Sequence, residues 1–258
     1  MKIRPNHLLE KLRRGEIASC MKLNTADART AQLAAIHGFD CIWMDMEHTP
    51  NTLEQTENQG RAVHAEGVDT LVRPARGSYS DLLWPLEMDA SGIMIPHIRT
   101  AEEARDMVRK TRFQPMGERY LDGGNADGRY GNVPVAEYVQ QTNEQRMVVL
   151  QIEDPEGMDN LEEIAAVPGY DMLFYGAGDY SHALGIVGQM GHQKVREGRR
   201  RIGEAANRHG KIAGLISVAD DDIQDAIECG YRFISLGADV IAMNQYFSNQ
   251  IAIFRKQL

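Results

Sequence analysis

The stretch CIWMDMEHTPNTLEQTENQGRAVHAEGVDTLVR, residues 41–73, holds three successive patterns. Cys41 to Met46 is a short apolar run rich in strand-forming residues. Thr52 to Glu66 brings its apolar positions back with a helical period, and Thr70 to Arg73 returns to the strand type. Strand, helix and strand in this order predict a crossover unit, in which the two strands run parallel and the helix covers one face of the sheet.

The same alternation continues on both sides of this unit. Upstream lie a strand from Ile17 to Leu23 and a helix from Ala26 to His37. Downstream the strand-type runs are Gly92 to Pro96, Met147 to Glu153, Met172 to Gly176, Ile212 to Ser217 and Phe233 to Gly237. Helix-period stretches separate them: Ser78 to Met88, Thr100 to Lys110, Val135 to Asn143, Asn160 to Ala166, Lys194 to Arg208 and Asp220 to Glu228, with a terminal helix from Val240 to Arg255. Eight strands alternating with eight helices predict a closed (β/α)8 barrel, a TIM barrel of class α/β, and no G-x-G-x-x-G opens a helix as an open dinucleotide-binding sheet would require. Thr100 before Glu102 and Glu103, and Ser78 before Asp81, read as helix caps followed by first-turn acids. The long irregular piece Phe113 to Val133 carries five glycines, and a loop of that length is functional or mobile.

A chain of 258 residues suits one barrel domain spanning 1–258. Its net charge of -9 excludes a broad nucleic-acid or anionic-membrane surface, so an anionic substrate would need a locally positive site. Cys20, Cys41 and Cys229 lie far apart with no C-x-x-C pair, which suits reduced thiols used in packing. Met1 through Arg14 lacks the apolar core of a signal peptide, and no later run approaches a membrane span, so the expected location is cytoplasmic.

Active-site groups of such a barrel come from the C-terminal ends of strands. Polar residues stand at four ends: Asp45-Met46-Glu47-His48, Arg73-Pro74, Gln151-Ile152-Glu153 and Gly176-Ala177-Gly178-Asp179. Glu153 and Asp179, on adjacent strand ends, are suited to hold Mg2+ or Mn2+ through two oxygens and leave positions open for substrate. The plainer alternative is that Glu153 begins a polar loop and Asp179 caps a short helix. Gly176 and Gly178 add weight to the ligand reading, because they let the backbone approach an anion. His48 could titrate near neutrality as a general base, or be an ordinary loop histidine. Arg73 has the shape for a carboxylate or enolate oxygen, or for a structural ion pair with Asp45 or Glu47.

With those residues placed, the chain resembles the HpcH/HpaI aldolase family of metal-dependent class II pyruvate aldolases. The likeness runs through GFDCIWMDMEHTP at 38–50, LVRPARGS at 71–78, GIMIPHIRTAEEAR at 92–105, QPMGERY at 114–120, LQIEDPEGMDNLEEI at 150–164, FYGAGDYSHALG at 174–185 and ISLGADV at 234–240. It implies a barrel of the phosphoenolpyruvate/pyruvate-binding type that cleaves a 4-hydroxy-2-oxo acid to pyruvate and an aldehyde, with Mg2+, Mn2+ or Co2+ as cofactor. It also implies roles: His48 as catalytic histidine, Arg73 on the enolate, Glu153 and Asp179 as metal ligands, Gln151 beside the substrate, and the backbone at Gly178 and Asp179 on the pyruvate carboxylate. Asp45 would support His48 or a metal-bound water. Where the family has an aspartate paired with the histidine, this chain has Glu87, with Asp89 two residues on. The Gly117-Glu118-Arg119 loop would border the acceptor aldehyde. A homo-oligomer, trimer or hexamer, with Val240 to Arg255 at the interface, is implied by the likeness alone. The nearest alternatives on this scaffold are an oxaloacetate decarboxylase and a citrate-lyase-type enzyme acting on acyl-CoA. A non-catalytic barrel would neither bind Mg2+ or Mn2+ nor exchange the methyl protons of pyruvate.

Overall fold

The computed structural model describes residues 1–258. Eight parallel strands close on themselves in sequence order: β1 (Ala18–Leu23), β2 (Cys41–Asp45), β3 (Asp69–Arg73), β4 (Gly92–Ile95), β5 (Met147–Ile152), β6 (Met172–Tyr175), β7 (Ile212–Ile216) and β8 (Phe233–Ala238). The barrel shuts because β1 pairs with β2 on one edge and with β8 on the other. Twelve α-helices accompany the strands: α1 (His7–Arg13), α2 (Ala28–Ile36), α3 (Leu53–Ala65), α4 (Tyr79–Glu87), α5 (Ala101–Thr111), α6 (Val135–Gln145), α7 (Pro155–Asp159), α8 (Leu161–Ala165), α9 (Ala177–Ala183), α10 (Gln193–Arg208), α11 (Asp220–Glu228) and α12 (Asp239–Arg255).

The strands read as continuous apolar runs because both of their faces are covered. Inside the barrel, Trp43, Leu71, Met94, Val149, Phe174 and Phe233 interdigitate, and Cys20 and Cys41 pack beneath them. Trp43 meets Phe174 edge to face at 5.6 Å between ring centres, and Phe174 meets Phe233 at 6.3 Å. Outside, Ile93, Val148, Leu150, Leu173 and Leu215 turn toward Leu82, Val108, Ile164 and Ile202 of the surrounding helices. Cys20, Cys41 and Cys229 are all free thiols, the first two buried.

Every expected strand is present, with ends shifted by a residue or so. Three short helices were not expected. The most consequential is α1, whose Leu8, Leu9 and Leu12 join the inner cluster and plug the barrel at the strands' N-terminal end. Asn6 caps it, accepting from Leu9 N at 2.8 Å and donating through Nδ2 to Ser91 O and Gln145 O, each at 2.8 Å. The other two, α7 and α9, directly follow the ends of β5 and β6, so α9 carries Gly178 and Asp179 in its first turn.

Candidate active site

Asp45 and Arg73 are register partners at the C-terminal ends of β2 and β3. Arg73 Nε donates to Asp45 Oδ1 at 3.0 Å and Nη2 to Oδ2 at 2.6 Å, the two-point geometry that a guanidinium fork gives a carboxylate. From the neighbouring β1, the Lys22 ammonium lies 2.8 Å from the same Oδ2. Asp45 is fully buried. Burial pushes its carboxyl upward, but the Arg73 and Lys22 cations overcome this and hold it at about 2. Asp45 is therefore a fixed anion between two cations. Its oxygens are held by Arg73, Lys22 and the Glu47 N–H, and neither bonds His48, which was one of the two supports the resemblance implied for it, the other being a metal-bound water. Trp43 lies beneath, 4.8 Å from the Arg73 guanidinium and 5.2 Å from the Lys22 ammonium.

Across the mouth, β5 ends with Gln151 and Glu153, both buried. Gln151 Nε2 donates to Glu153 Oε2, and Arg73 Nη1 approaches Gln151 Oε1 at 3.4 Å. Glu153 Oε1 accepts the backbone N–H of His97 at 2.9 Å. Burial, before any other cause, pushes the Glu153 carboxyl up to about 7. His97 and Arg73 oppose this rise, and the Asp179 charge adds to it. The Asp179 charge thus reaches Glu153 from the neighbouring strand end. Gly176 makes the approach possible: a Cβ there would lie 2.5 Å from Glu153 Cβ and 3.0 Å from Gln151 Nε2, closer than side chains tolerate.

His48 stands at the rim with its side chain 54% exposed, and its nearest acid is Glu47, with Nε2 3.6 Å from Oε2. Neither expected partner reaches it within the chain. Glu87 closes α4 and lines an outer groove with Trp84, Glu57, Arg61 and Tyr130, where burial raises its carboxyl above the ordinary range. Asp89 belongs to the opposite end of the barrel, where Arg146 and Arg4 hold it.

Two residues that sequence reading passed over stand in the site. His97 follows β4 in a left-handed conformation, φ 55°, which few side chains adopt. Its ring lies between Glu47, 3.2 Å from Nε2, and the pair Glu153 and Asp154, 3.3 and 3.4 Å from Nδ1. Lys22 is the other. Both occupy strand ends, so extending the search for polar residues to β1 and β4 would have found them.

A cavity of about 410 Å³ opens at this end of the barrel. Lys22, His48, Arg73, Gln151, Gly178 and Asp179 line it, over Trp43 and Phe174, with Met190, Val195 and Val218 on the far wall. Residues 113–133 do not contribute to it. The loop instead follows the outside of α4, where Tyr120 N donates to Tyr79 Oη at 2.9 Å. Arg119 and Asp127, fully buried and 2.9 Å apart, anchor it under Tyr138. The border with an acceptor aldehyde that the resemblance implied for this loop is not made within one chain.

The structure is thus a parallel (β/α)8 barrel with two acidic strand ends and a clamped arginine at its C-terminal mouth. A profile of the HpcH/HpaI aldolase/citrate lyase family matches residues 19–245, and the chain belongs to that family. A 2-keto-3-deoxy-L-rhamnonate aldolase of Escherichia coli is 33% identical over 255 residues, covering 97% of this chain and 93% of its own. An HpcH/HpaI aldolase from Desulfitobacterium hafniense superimposes with a TM-score of 0.90 at 30% identity, over 96% of each chain. The citrate synthase SbnG superimposes with a TM-score of 0.89 at 28% identity, over 97% of this chain and 98% of its own. The chain is accordingly a carbon–carbon lyase of the aldolase type. No helix is long and apolar enough to cross a membrane.

Proposed function

We propose that this lyase reversibly cleaves a 4-hydroxy-2-oxo acid to pyruvate and an aldehyde, with a divalent cation held by Glu153 and Asp179. The observation that carries the reading is the placement of Glu153, a buried carboxyl at the end of β5 held by Gln151 and the His97 N–H with only Gly176 against it, where burial and the Asp179 charge both disfavour its ionised form and a cation would favour it. The surroundings fit that cation. Glu47, Glu153 and Asp154 gather acidic oxygens around the His97 ring, with Arg73 Nε 3.1 Å from Glu47 Oε2, and Gly176 leaves open the space a side chain would fill. No three His, Cys, Asp or Glu side chains converge as a closed metal cluster. Two carboxylate oxygens with open positions suit Mg2+, Mn2+ or Co2+ better than a structural zinc.

Such a cation would supply Lewis-acid stabilisation of the negative charge that grows on the substrate's keto oxygen, worth several kcal/mol. Arg73, oriented by Asp45 through two bonds, keeps Nη1 turned toward Gln151 and the cavity, where it adds a positioned charge beside that oxygen. Gln151 holds the Glu153 carboxylate from one side and the His97 N–H holds it from the other. Gly178 and Asp179 offer first-turn backbone N–H groups to the pyruvate carboxylate. His48, at the open rim, takes the proton of the substrate hydroxyl as the carbon–carbon bond breaks and returns it in aldol addition.

The test is pyruvate release from a panel of 4-hydroxy-2-oxo acids, together with exchange of pyruvate methyl protons in D2O. EDTA should abolish both, and Mg2+, Mn2+ or Co2+ should restore them. Glu153→Gln should lose both at every metal concentration. Chelator-resistant turnover that borohydride traps with pyruvate would overturn the reading, because it indicates a lysine imine. Oxaloacetate belongs in the panel, since its decarboxylation without any retro-aldol cleavage would move the assignment to the decarboxylase alternative.

We also infer a homo-oligomer, trimer or hexamer, and a cytoplasmic location that keeps the three thiols reduced. The oligomer is supported by α12, on which Ile241, Tyr246, Phe247, Ile251, Ile253 and Phe254 are exposed.

A further inference from the structure

Where Lys22, Trp43, Arg73 and Gln151 form the floor of the cavity, their side chains present hydrogen-bond donors and no uncommitted acceptor. Both Asp45 oxygens are taken, by Arg73, Lys22 and the Glu47 N–H. The Gln151 amide is spent on Glu153 and Arg73. Lys22 has three ammonium donors and a single ion-pair partner, Asp45, while its side chain is only 14% exposed. Trp43 also lines the cavity, and its buried Nε1–H has no hydrogen-bond partner. Such a surface is complementary to an anionic oxygen and poorly matched to an alkyl group, which would strand the donors without water.

We propose that Lys22, with the Trp43 indole N–H, forms a second carboxylate-binding point that selects acceptor aldehydes bearing an anionic group. This rests on the aldolase reading, in which the pyruvate carboxylate is received at Gly178 and Asp179, so the floor is left for the other half of the substrate. The cavity of about 410 Å³ has room for both halves, since it would hold roughly a dozen water-sized groups. Lys22 supplies a compact charge that no other floor group can give: Arg73 already spends two of its nitrogens on Asp45.

The experiment compares aldol addition of pyruvate to succinic semialdehyde and to butanal, matched in chain length, using Mn2+-loaded wild type, Lys22→Met and Lys22→Arg. Methionine keeps the apolar stem over Trp43 and removes the charge. Wild type should favour the semialdehyde by at least 10-fold in kcat/KM, Lys22→Met should shrink that preference at least 10-fold, and Lys22→Arg should keep most of it. An unchanged preference in Lys22→Met overturns the proposal, as does a rise in the KM for pyruvate with the preference intact. A second readout needs neither metal nor turnover. Trp43 fluorescence in a Trp84→Phe background should respond to succinate and not to 1,4-butanediol, with the response lost in Lys22→Met. If Mn2+-loaded wild type neither cleaves nor exchanges pyruvate while the succinate response persists, the aldolase reading fails and the carboxylate site stands. If turnover is present and succinate leaves Trp43 unchanged, the reverse holds.

Discussion

Asp45 shows how much a single buried anion can carry. It neutralises Arg73, with a side chain 4% exposed, and Lys22 from the other side. Asp45→Asn would leave Lys22 without its counter-charge and Arg73 with Glu47 alone, 3.1 Å from its Nε, and breaking a buried pair in this way costs about 3–5 kcal/mol. Urea unfolding should register that loss, and pyruvate proton exchange should fall with it as Arg73 loses its orientation. His48 behaves oppositely because it is exposed and its one acidic partner is Glu47, 3.6 Å away. His48→Ala should lower aldol turnover by roughly 10²–10⁴-fold, the range for losing a general acid–base group, while Mn2+ binding measured by EPR stays near wild type. A different histidine sets the response to acid. His64, packed against Thr70, is held down to about 3 by burial first and then by Arg4, Arg146 and Arg129. Its folded-state value lies below the ordinary one near 6.5, so the unfolded chain takes up the proton first. Stability is therefore fully present above about 6.5 and is lost as pH falls from there toward 3, by up to about 1.4 kcal/mol per unit. Thermal melts at pH 7.5 and 5.5 should show this slope, and His64→Gln should flatten it.

At the scale of elements, α1 does for the lower end of the barrel what side chains do for its middle. Leu9→Ala would open space beneath Cys20, Cys41 and Leu71, and such large-to-small changes cost about 2–5 kcal/mol. Chemical unfolding should show that loss, with the metal affinity of the distant mouth unaltered. The strands and longer helices were legible in the sequence because each repeats one pattern over enough residues to be recognised. Apolar runs such as Met147–Ile152 mark strands covered on both faces, and α10 alternates Val195, Ile202 and Ala206 with its many charges. Leu8, Leu9 and Leu12 repeat too briefly to announce a helix, and only the open end of a barrel explains why they are buried. At five and seven residues, α7 and α9 are no longer than α1. Among site residues, Arg73, Gln151 and Glu153 could be read as polar groups ending apolar runs. His97 ends such a run too, but its bond to Glu153 could not be read, since it spans 56 residues of chain. Nor could the isolation of Glu87 from His48, which depends on which side of α4 faces outward.

The whole molecule carries an unfinished surface. Of α12, only Asp239 is buried, where its carboxylate receives Asn24 N at 2.8 Å and Thr25 N at 3.1 Å. The rest of that helix presents apolar residues on every side, which a lone chain in water would not favour. If α12 holds the proposed homo-oligomer together, Phe247→Asp with Ile251→Asp should give smaller species than wild type in analytical ultracentrifugation, while far-ultraviolet circular dichroism of the barrel persists. A mass equal to one chain for wild type at micromolar concentration would contradict the oligomer.

Because β1 is flanked by β8, the first strand to leave the ribosome must wait for the last before its second edge is covered. The leucines of α1 are synthesised earlier still, and the ring they stopper exists only once residue 238 has emerged. Nascent chains halted before Phe233 should thus be digested by protease along their whole length, and resistance should arrive in one step when β8 clears the exit tunnel.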